Sequence, residues 1–455
     1  MKKLKRLLAL LMSAAIFGGL LPGATITSSA AVTLEDTILA GMANFATEID
    51  VTPFVSASDK AAGYPALITA FRNALYDHPE LYWYDWFKSG KDAAGKNAFI
   101  GTSSTDKSKV YLMNLKYTFS KATLPAAQAK FDAAVKTALA GIGSDWTEVE
   151  KVLYIHDYII QNAAYFQAMT DYETSYDPLV NGLAMCQSYA LTTKLLLDKV
   201  GIPSLVIYTP NASHSWNYVK IGSNWFHLDV DVDDTVISTG GDKPVWHDQY
   251  GRVLHNWVLT SDTKARTNAT KHNGWVLRTF TYAGTKYTPV AASKTTYDKY
   301  PWVNSTSAMV KLGDYWYYTD MQEETYAKGY TGTKYQVYLK RFSFDTKKTA
   351  TVRKLTAVWY KNAAKTTLYT DKVFVSLGVY NGYLYYNLQD KIVRYKPAVQ
   401  SADGKAKSST STVSKVVPSS AQYVYGFTIN QNTGKMTYII KSSTTSASKK
   451  WSKTL

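Results

Sequence analysis

The sequence predicts an α+β protein with a helical lead-in, a mixed core and a β-rich C-terminal module of aromatic hairpins. Three observations carry that prediction. Apolar residues recur at helical spacing in several segments up to Lys199. Three strand candidates follow one another between Ser204 and Val230. After about Ser261 the helical period fades, and short aromatic strands alternate with turns.

The chain begins with a basic segment, Met1 to Arg6, then an apolar run from Leu7 to Leu21, and small residues at Ser29-Ala30-Ala31. This pattern reads as a secretory signal peptide over residues 1–31, and the mature chain is expected outside the cytoplasmic membrane with no further span. The formal charge is +16, and removing the four basic residues of the leader leaves +12. Such a charge would draw an exported protein to an anionic envelope or to nucleic acid alike. With its lysines dispersed it reads first as a solvated surface, and adhesion to an anionic cell-wall polymer is the second reading. No specific nucleic-acid signature is evident. With 46% hydrophobic residues, 19% charged residues and 455 positions, the composition is that of a globular protein of two or three domains. One cysteine excludes an intrachain disulfide and a cysteine-rich zinc site.

From residue 32 to 144 a lead-in domain mixes helix and strand. Tyr64 to Tyr76 has helical spacing; Leu81 to Phe87 and Val110 to Phe119 read as strands; Leu124-Pro125 starts another helix. The core is expected over residues 145–265. Thr147 and Glu150 form a capping box that opens a helix carrying Val152, Leu153, His156 and Ile160 on one face. His156 therefore points inward, as a hydrogen-bonded structural histidine. A second helix is expected from Gly182 to Lys199, apolar nearly all round. Strands follow at Ser204 to Thr209, His214 to Ile221 and Asn224 to Val230. Residues 266–300 read as a linker, and residues 301–455 as the β-rich module, in which Asp314 to Tyr318, Gly382 to Tyr386 and Gly434 to Ile440 look like repeats. Gln400 to Ser420 and Ser442 to Lys450 are Ser/Thr/Lys-rich and expected to be mobile.

The lone cysteine, Cys186, falls in the first turn of the second helix, where unpaired N–H groups and the helix dipole favour an anionic sulfur. Taken alone, it is as readily a small buried hydrophobe. The hairpin shifts the balance. If Gly222-Ser223 is a two-residue turn, Ile221 pairs with Asn224, Trp216 lies opposite Asp229, and His214 lies opposite Asp231. His214 and Asp229 are then diagonal neighbours on one face, about 7–8 Å apart at Cα and within side-chain reach. A three-residue turn would separate them. In a Cys-His-Asp set the thiolate attacks, the imidazole shuttles protons and the carboxylate fixes the tautomer. Trp216, Tyr218 and Asp231 are candidates to line a substrate cleft, although aromatics on a half-buried ribbon also serve as core.

At these residues the chain resembles the transglutaminase-like superfamily of papain-like cysteine enzymes. The resemblance is carried by Glu150 to Asp157 (EKVLYIHD), Gly182 to Ala190 (GLAMCQSYA), His214-Ser-Trp-Asn217, and Trp225-Phe-His-Leu-Asp229 followed by Asp233-Asp234. His255 to Asp262 looks like the strand that closes such a core, and His78 to Tyr82 resembles the leading segment of exported bacterial members. The resemblance implies Cys186 as nucleophile, His214 as base and Asp229 as orienting acid. It implies acyl transfer at an amide or peptide carbonyl through a thioester, with peptidase and crosslinking outcomes both open, and envelope protein or peptide as substrate. A catalytically silent adhesion module is the alternative. Asp231 and Val232 depart from the family's usual Thr and Trp, and Asp231 could compete for His214. No cofactor is expected: the Asp229-x-Asp231-x-Asp233 run lacks the Gly and Glu of a calcium loop, and no HExxH is present.

Overall fold

The computed structural model describes residues 32–102, 105–166, 172–235, 237–238, 250–325, 333–356, 359, 374–399, 407–415, 422–442 and 449–455. Residues 1–31, the segment expected to be a signal peptide, lie outside the described residues. The chain divides into two compact units, residues 1–130 and 131–455. The boundary expected at 144 falls instead inside the helix Leu124–Leu139. Among the described residues no helix is long and apolar enough to cross a membrane.

In the first unit, Thr33 and Asp36 form a capping box that starts helix Leu34–Ala43. Helix Pro65–Asp77 begins with proline, whose missing N–H costs nothing in a first turn. Ile38, Met42, Leu67, Phe71 and Leu75 pack over a small sheet in which Val110–Leu112 is central. Residues 81–87 do not form the expected strand. Tyr82, Trp83 and Tyr84 are all buried, which a one-sided strand would not allow, and the chain turns repeatedly to seat the three rings. Val110 to Phe119 is a strand only to Leu112, because Asn114 adopts a left-handed conformation (φ 56°).

In the second unit the Thr147–Glu150 capping box is formed as expected, with Thr147 N donating to Glu150 Oε2 at 2.9 Å and Glu150 N to Thr147 Oγ1 at 3.3 Å. It opens helix Glu148–Asn162. The next long helix starts at Cys186, not Gly182. Asp177–Asn181 makes a wide helical turn closed by Gly182 (φ 69°), and the chain then extends through Met185 before helix Cys186–Lys199 begins. A four-stranded antiparallel sheet follows, in the order Ser204–Tyr208, Ser215–Ile221, Asn224–Leu228, Val258–Thr260. Ile221 pairs with Asn224 and Asn217 with Leu228, the register that a two-residue turn requires. Gly222 supplies its positive φ of 55°.

Residues 266–300 are not a free linker. They hold a hairpin, Phe280–Tyr282 with Thr285–Tyr287, and Phe280 packs with Trp216, Tyr218 and Trp225. Beyond it lie three meandering antiparallel sheets. The first contains Val310–Leu312, Tyr315–Thr325, Thr333–Phe342 and Thr349–Leu355; the second contains Leu377–Tyr380, Tyr383–Asn387, Lys391–Val399 and Lys407–Lys415; the third contains Tyr423–Ile429, Lys435–Lys441 and Lys449–Thr454. Each expected aromatic repeat supplies the second strand of one sheet. Lys407–Lys415 is a strand inside the stretch expected to be mobile; residues 400–406, 416–421 and 443–448 lie outside the described residues.

These sheets share a core with the helices. Trp302 and Trp316 cluster with Val152, Leu153 and Ile159. Glu150 serves both ends of that contact. One oxygen closes the capping box, and the other accepts hydrogen bonds from Trp316 Nε1 and Lys311 Nζ, both at 2.8 Å. Burial opposes its charge, but the bonds from Lys311, Trp316 and Thr147 hold its carboxyl below the usual range.

Candidate active site

Cys186 owes its place to the turn before it. Met185 N donates to Ser188 Oγ at 2.7 Å and Ser188 Oγ donates back to Met185 O at 2.9 Å, which fixes the start of the helix. The helix behind it is buried from Ser188 to Leu197, including Lys194, whose Nζ donates to Asp198 (2.9 Å) and Ser204 O (3.1 Å). Cys186 as a residue is half-buried.

His214 stands one residue before the first ladder residue, Ser215, with its backbone locked to Thr209. Asp229 stands one residue after the last, Leu228, and turns out of the strand to cap Val230–Asp233, its Oδ1 accepting from Val232 N at 3.2 Å. The two side chains meet as diagonal neighbours: His214 Nε2 lies 2.7 Å from Asp229 Oδ2. Both are buried, 2% and 1% exposed, so the bond is strengthened by the dry surroundings. Burial disfavours the imidazolium, but Asp229, the Cys186 thiol and Asp231 outweigh it and raise His214 to about 10. Burial likewise opposes the Asp229 charge, yet His214 and His272 hold its carboxyl far below the usual range. The thiol acts on the ring without an aligned hydrogen bond: Nδ1 of His214 is buried and has no hydrogen-bond partner among the described residues.

The sequence did not flag His272. It comes from the expected linker, and its Nε2 lies 2.7 Å from the same Oδ2 of Asp229. Nothing in its polar neighbourhood, Asn268 to Gly274, has a period that marks it as buried. Tyr165 was also missed. Burial, then Asp231 and Cys186, raise its hydroxyl to about 12, so it stays protonated beside them.

Two of the three cleft candidates are core. Trp216 is 1% exposed; its ring stacks on His214 (5.4 Å, 19°) and its Nε1 donates to His227 Nδ1 at 2.9 Å. That donor requires His227 Nδ1 to be the acceptor, so Nε2–H points to Asp262 (2.9 Å), and burial keeps the ring's pKa below its ordinary value. Tyr218 is fully buried and donates to Asp262 and Val290 O. Both face inward because strand parity puts them on the side covered by the 266–300 segment.

Asp231 comes close to His214, with Oδ2 3.6 Å from Nδ1, from the helical turn rather than from a ladder pair. Burial, with the nearby Asp229 charge adding to it, raises its carboxyl to about 6. A carboxyl raised on folding destabilises the native state above that pH and not below the unfolded value near 3.8. Asp231→Asn is therefore expected to stabilise the protein by about 1–3 kcal/mol at pH 7.5, the gain vanishing by pH 4. Urea unfolding at the two pH values measures it; equal stability at pH 7.5 would contradict it.

A second buried network lies behind the site. His156 Nδ1 meets Asp157 Oδ1 (2.7 Å), His156 Nε2 meets Asp233 Oδ2 (3.3 Å), and His255 Nε2 meets Asp157 Oδ1 (2.8 Å). Asp233 also accepts from Asn256 N and Trp257 N, both at 2.9 Å. His156 is thus the structural histidine the helix pattern implies. His156, Asp157 and His255 bring donor atoms within 4.8 Å of one another, as do His214, Asp229 and His272. Neither set fits a metal well. The contacts at 2.7–2.8 Å are hydrogen-bond lengths between the ring nitrogens and the carboxylate oxygens. Nδ1 of His214, His255 and His272 finds no partner among the described residues to fix a ligating tautomer. Both sets are hydrogen-bonded clusters.

Residues 136–230 match the sequence profile of the Transglutaminase-like superfamily. The resemblance read from the sequence is borne out over that span, which contains Cys186, His214 and Asp229 and leaves the C-terminal sheets outside it. Among solved structures, the chain is similar to a TGase at 14% identity (TM-score 0.21), over 32% of this chain and 46% of that one. It is also similar to a cysteine protease candidate from Cytophaga hutchinsonii at 23% identity (TM-score 0.19), over 25% of this chain and 43% of that one. The match thus spans less than half the length of either structure. No curated protein sequence matches the chain.

Proposed function

We propose that the protein is an exported cysteine enzyme that transfers acyl groups at amide or peptide carbonyls through a thioester on Cys186. The observation that carries this reading is the His214 ring. One of its nitrogens is bound to the buried Asp229 at 2.7 Å, and the ring stands beside the chain's one cysteine at a helix start. With Nε2 occupied, Nδ1 is the nitrogen left to exchange the sulfur's proton.

The steps follow from that geometry. Sγ of Cys186, as thiolate, attacks the carbonyl carbon. The C–N bond breaks as His214 Nδ1–H protonates the leaving amine, which yields the thioester. The neutral ring then takes a proton from water or from an incoming amine, which attacks the thioester and frees the thiolate. Asp229 holds the tautomer and balances the imidazolium charge throughout. Water as acceptor makes a peptidase or amidase; an amine makes a crosslinking enzyme. The leader-like N-terminus and the positive charge favour envelope protein or peptide as substrate, near an anionic wall polymer.

The test is to incubate the mature protein with a labelled primary amine and an envelope-protein extract, beside Cys186→Ala. Label incorporation supports transfer and new fragments support hydrolysis, provided the variant does neither. Wild type behaving as Cys186→Ala would end the enzymatic reading and leave the adhesion module.

A further inference from the structure

Asp229 Oδ2 receives two imidazoles at the same distance: His214 Nε2 at 2.7 Å and His272 Nε2 at 2.7 Å. A carboxylate oxygen has two lone pairs, so both N–H donors can be accepted at once. The other oxygen takes Val232 N. The carboxylate is therefore held on three sides and cannot turn away from His214 without giving up a buried bond. His272 is itself firmly placed. It is 1% exposed, its ring lies against Trp216 (4.8 Å) and edge-on to Trp257 (4.7 Å), and its backbone N donates to Asn268 O at 2.8 Å.

We propose that His272 is a positioning residue for the Cys186–His214–Asp229 site, which fixes the Asp229 carboxylate and takes up part of the charge that would otherwise act on His214 alone. The proposal rests on the reading of those three residues as catalytic. Its chemical sense lies in the two tasks of the imidazole. His214 must hold a proton while the sulfur attacks and must then release it to the leaving amine. An imidazolium facing an unshared buried carboxylate holds its proton too tightly for the second task. A second donor on the same oxygen makes that carboxylate less basic and eases release. The other groups around His214 push the opposite way or are neutral. Asp231 stands at Nδ1, Cys186 acts on the ring, and Trp216 covers its face. Lys271 lies close enough to act on Asp231, opposing the rise in its carboxyl. Among the groups facing the Asp229–His214 pair, His272 is therefore the one placed to moderate it. It is contributed by a segment outside the family match at 136–230.

The experiment uses the full mature chain with isotope-labelled histidine, where seven rings keep the spectrum readable. In the wild type the nitrogen shifts should identify His272 as protonated at Nε2; an unprotonated Nε2 cannot donate to Asp229 and would overturn the proposal without any variant. His272→Phe keeps a ring without a donor, and His272→Gln keeps an N–H donor. The Nε2–H proton of His214 should move downfield in His272→Phe, as its bond to Asp229 strengthens, and return to the wild-type position in His272→Gln. An unmoved resonance in His272→Phe, or the same displacement in both variants, would reduce His272 to packing. Rapid alkylation of wild-type Cys186 with no such shift would leave the catalytic reading standing and end this proposal. The shift without thiol reactivity would show that His272 fixes the Asp229–His214 bond, yet it would end the catalytic reading and with it the positioning role proposed here.

Discussion

Replacing His214 with alanine is expected to slow the alkylation of Cys186 at pH 7 by roughly ten- to thirtyfold. A free thiol with an ordinary pKa is only ~3% thiolate at that pH. An imidazolium beside the sulfur drives the pair toward thiolate, and the gain is trimmed because a less basic thiolate is a weaker nucleophile. His214 is built for that state: its pKa is raised to about 10, so the ring is charged throughout the neutral range. Cys186 is a half-buried residue, and a small reagent is the probe suited to it. Asp229→Asn should slow labelling less, since the ring stays but loses its counter-charge. The rate of iodoacetamide incorporation, followed by mass spectrometry, measures all three proteins. Slow labelling of the wild type, unchanged by His214→Ala, would mean that the thiol is an inert core group.

What could be read from the sequence was decided by local rules. The Gly222-Ser223 turn sets the ribbon register, and the register alone puts His214 beside Asp229. The Thr147–Glu150 box marks a helix start because both halves of the signal lie within four residues. What escaped was set by tertiary packing. His272 belongs to a polar loop whose path is fixed by Trp216 and Trp257, residues distant in number. Glu150 gives no hint in sequence that its second oxygen binds Trp316. Parity predicts that Trp216 and Tyr218 share a face, but not whether solvent or the 266–300 segment covers it. The strand expected at 81–87 failed for a related reason: in a run where every second residue and its neighbour are aromatic, burial on all sides removes the alternation that distinguishes strand from turn.

The buried network behind the site has the larger stake in stability. Asp157→Ala is expected to destabilise the second unit by about 3–5 kcal/mol, the usual cost of stripping one partner from a buried charged cluster. Three donors lose their acceptor together: His156 Nδ1, His255 Nε2 and Met309 N, the last at 2.6 Å from Asp157 Oδ2. The Met309 bond joins helix Glu148–Asn162 to the approach of the first C-terminal sheet, so the loss is shared by both. The pH dependence gives an independent check. Burial lowers the proton affinity of His156, but Asp157 and Asp233 more than reverse this and raise it to about 9. A histidine raised on folding contributes fully below its unfolded value near 6.5, and the contribution is lost as pH climbs to about 9. For His156 that is on the order of 3 kcal/mol. Without Asp157 the burial penalty meets only the weaker Asp233 contact at 3.3 Å, so His156 reverts toward the neutral form. The wild type should therefore lose stability steadily from pH 6.5 to 9; Asp157→Ala should lose less by the share that His156 contributes, while His214, also raised on folding, keeps its own share in both proteins. Denaturant midpoints taken across that range decide the matter: parallel slopes for the two proteins would mean that His156 is neutral in the native state and that the charge assignment of this network is wrong.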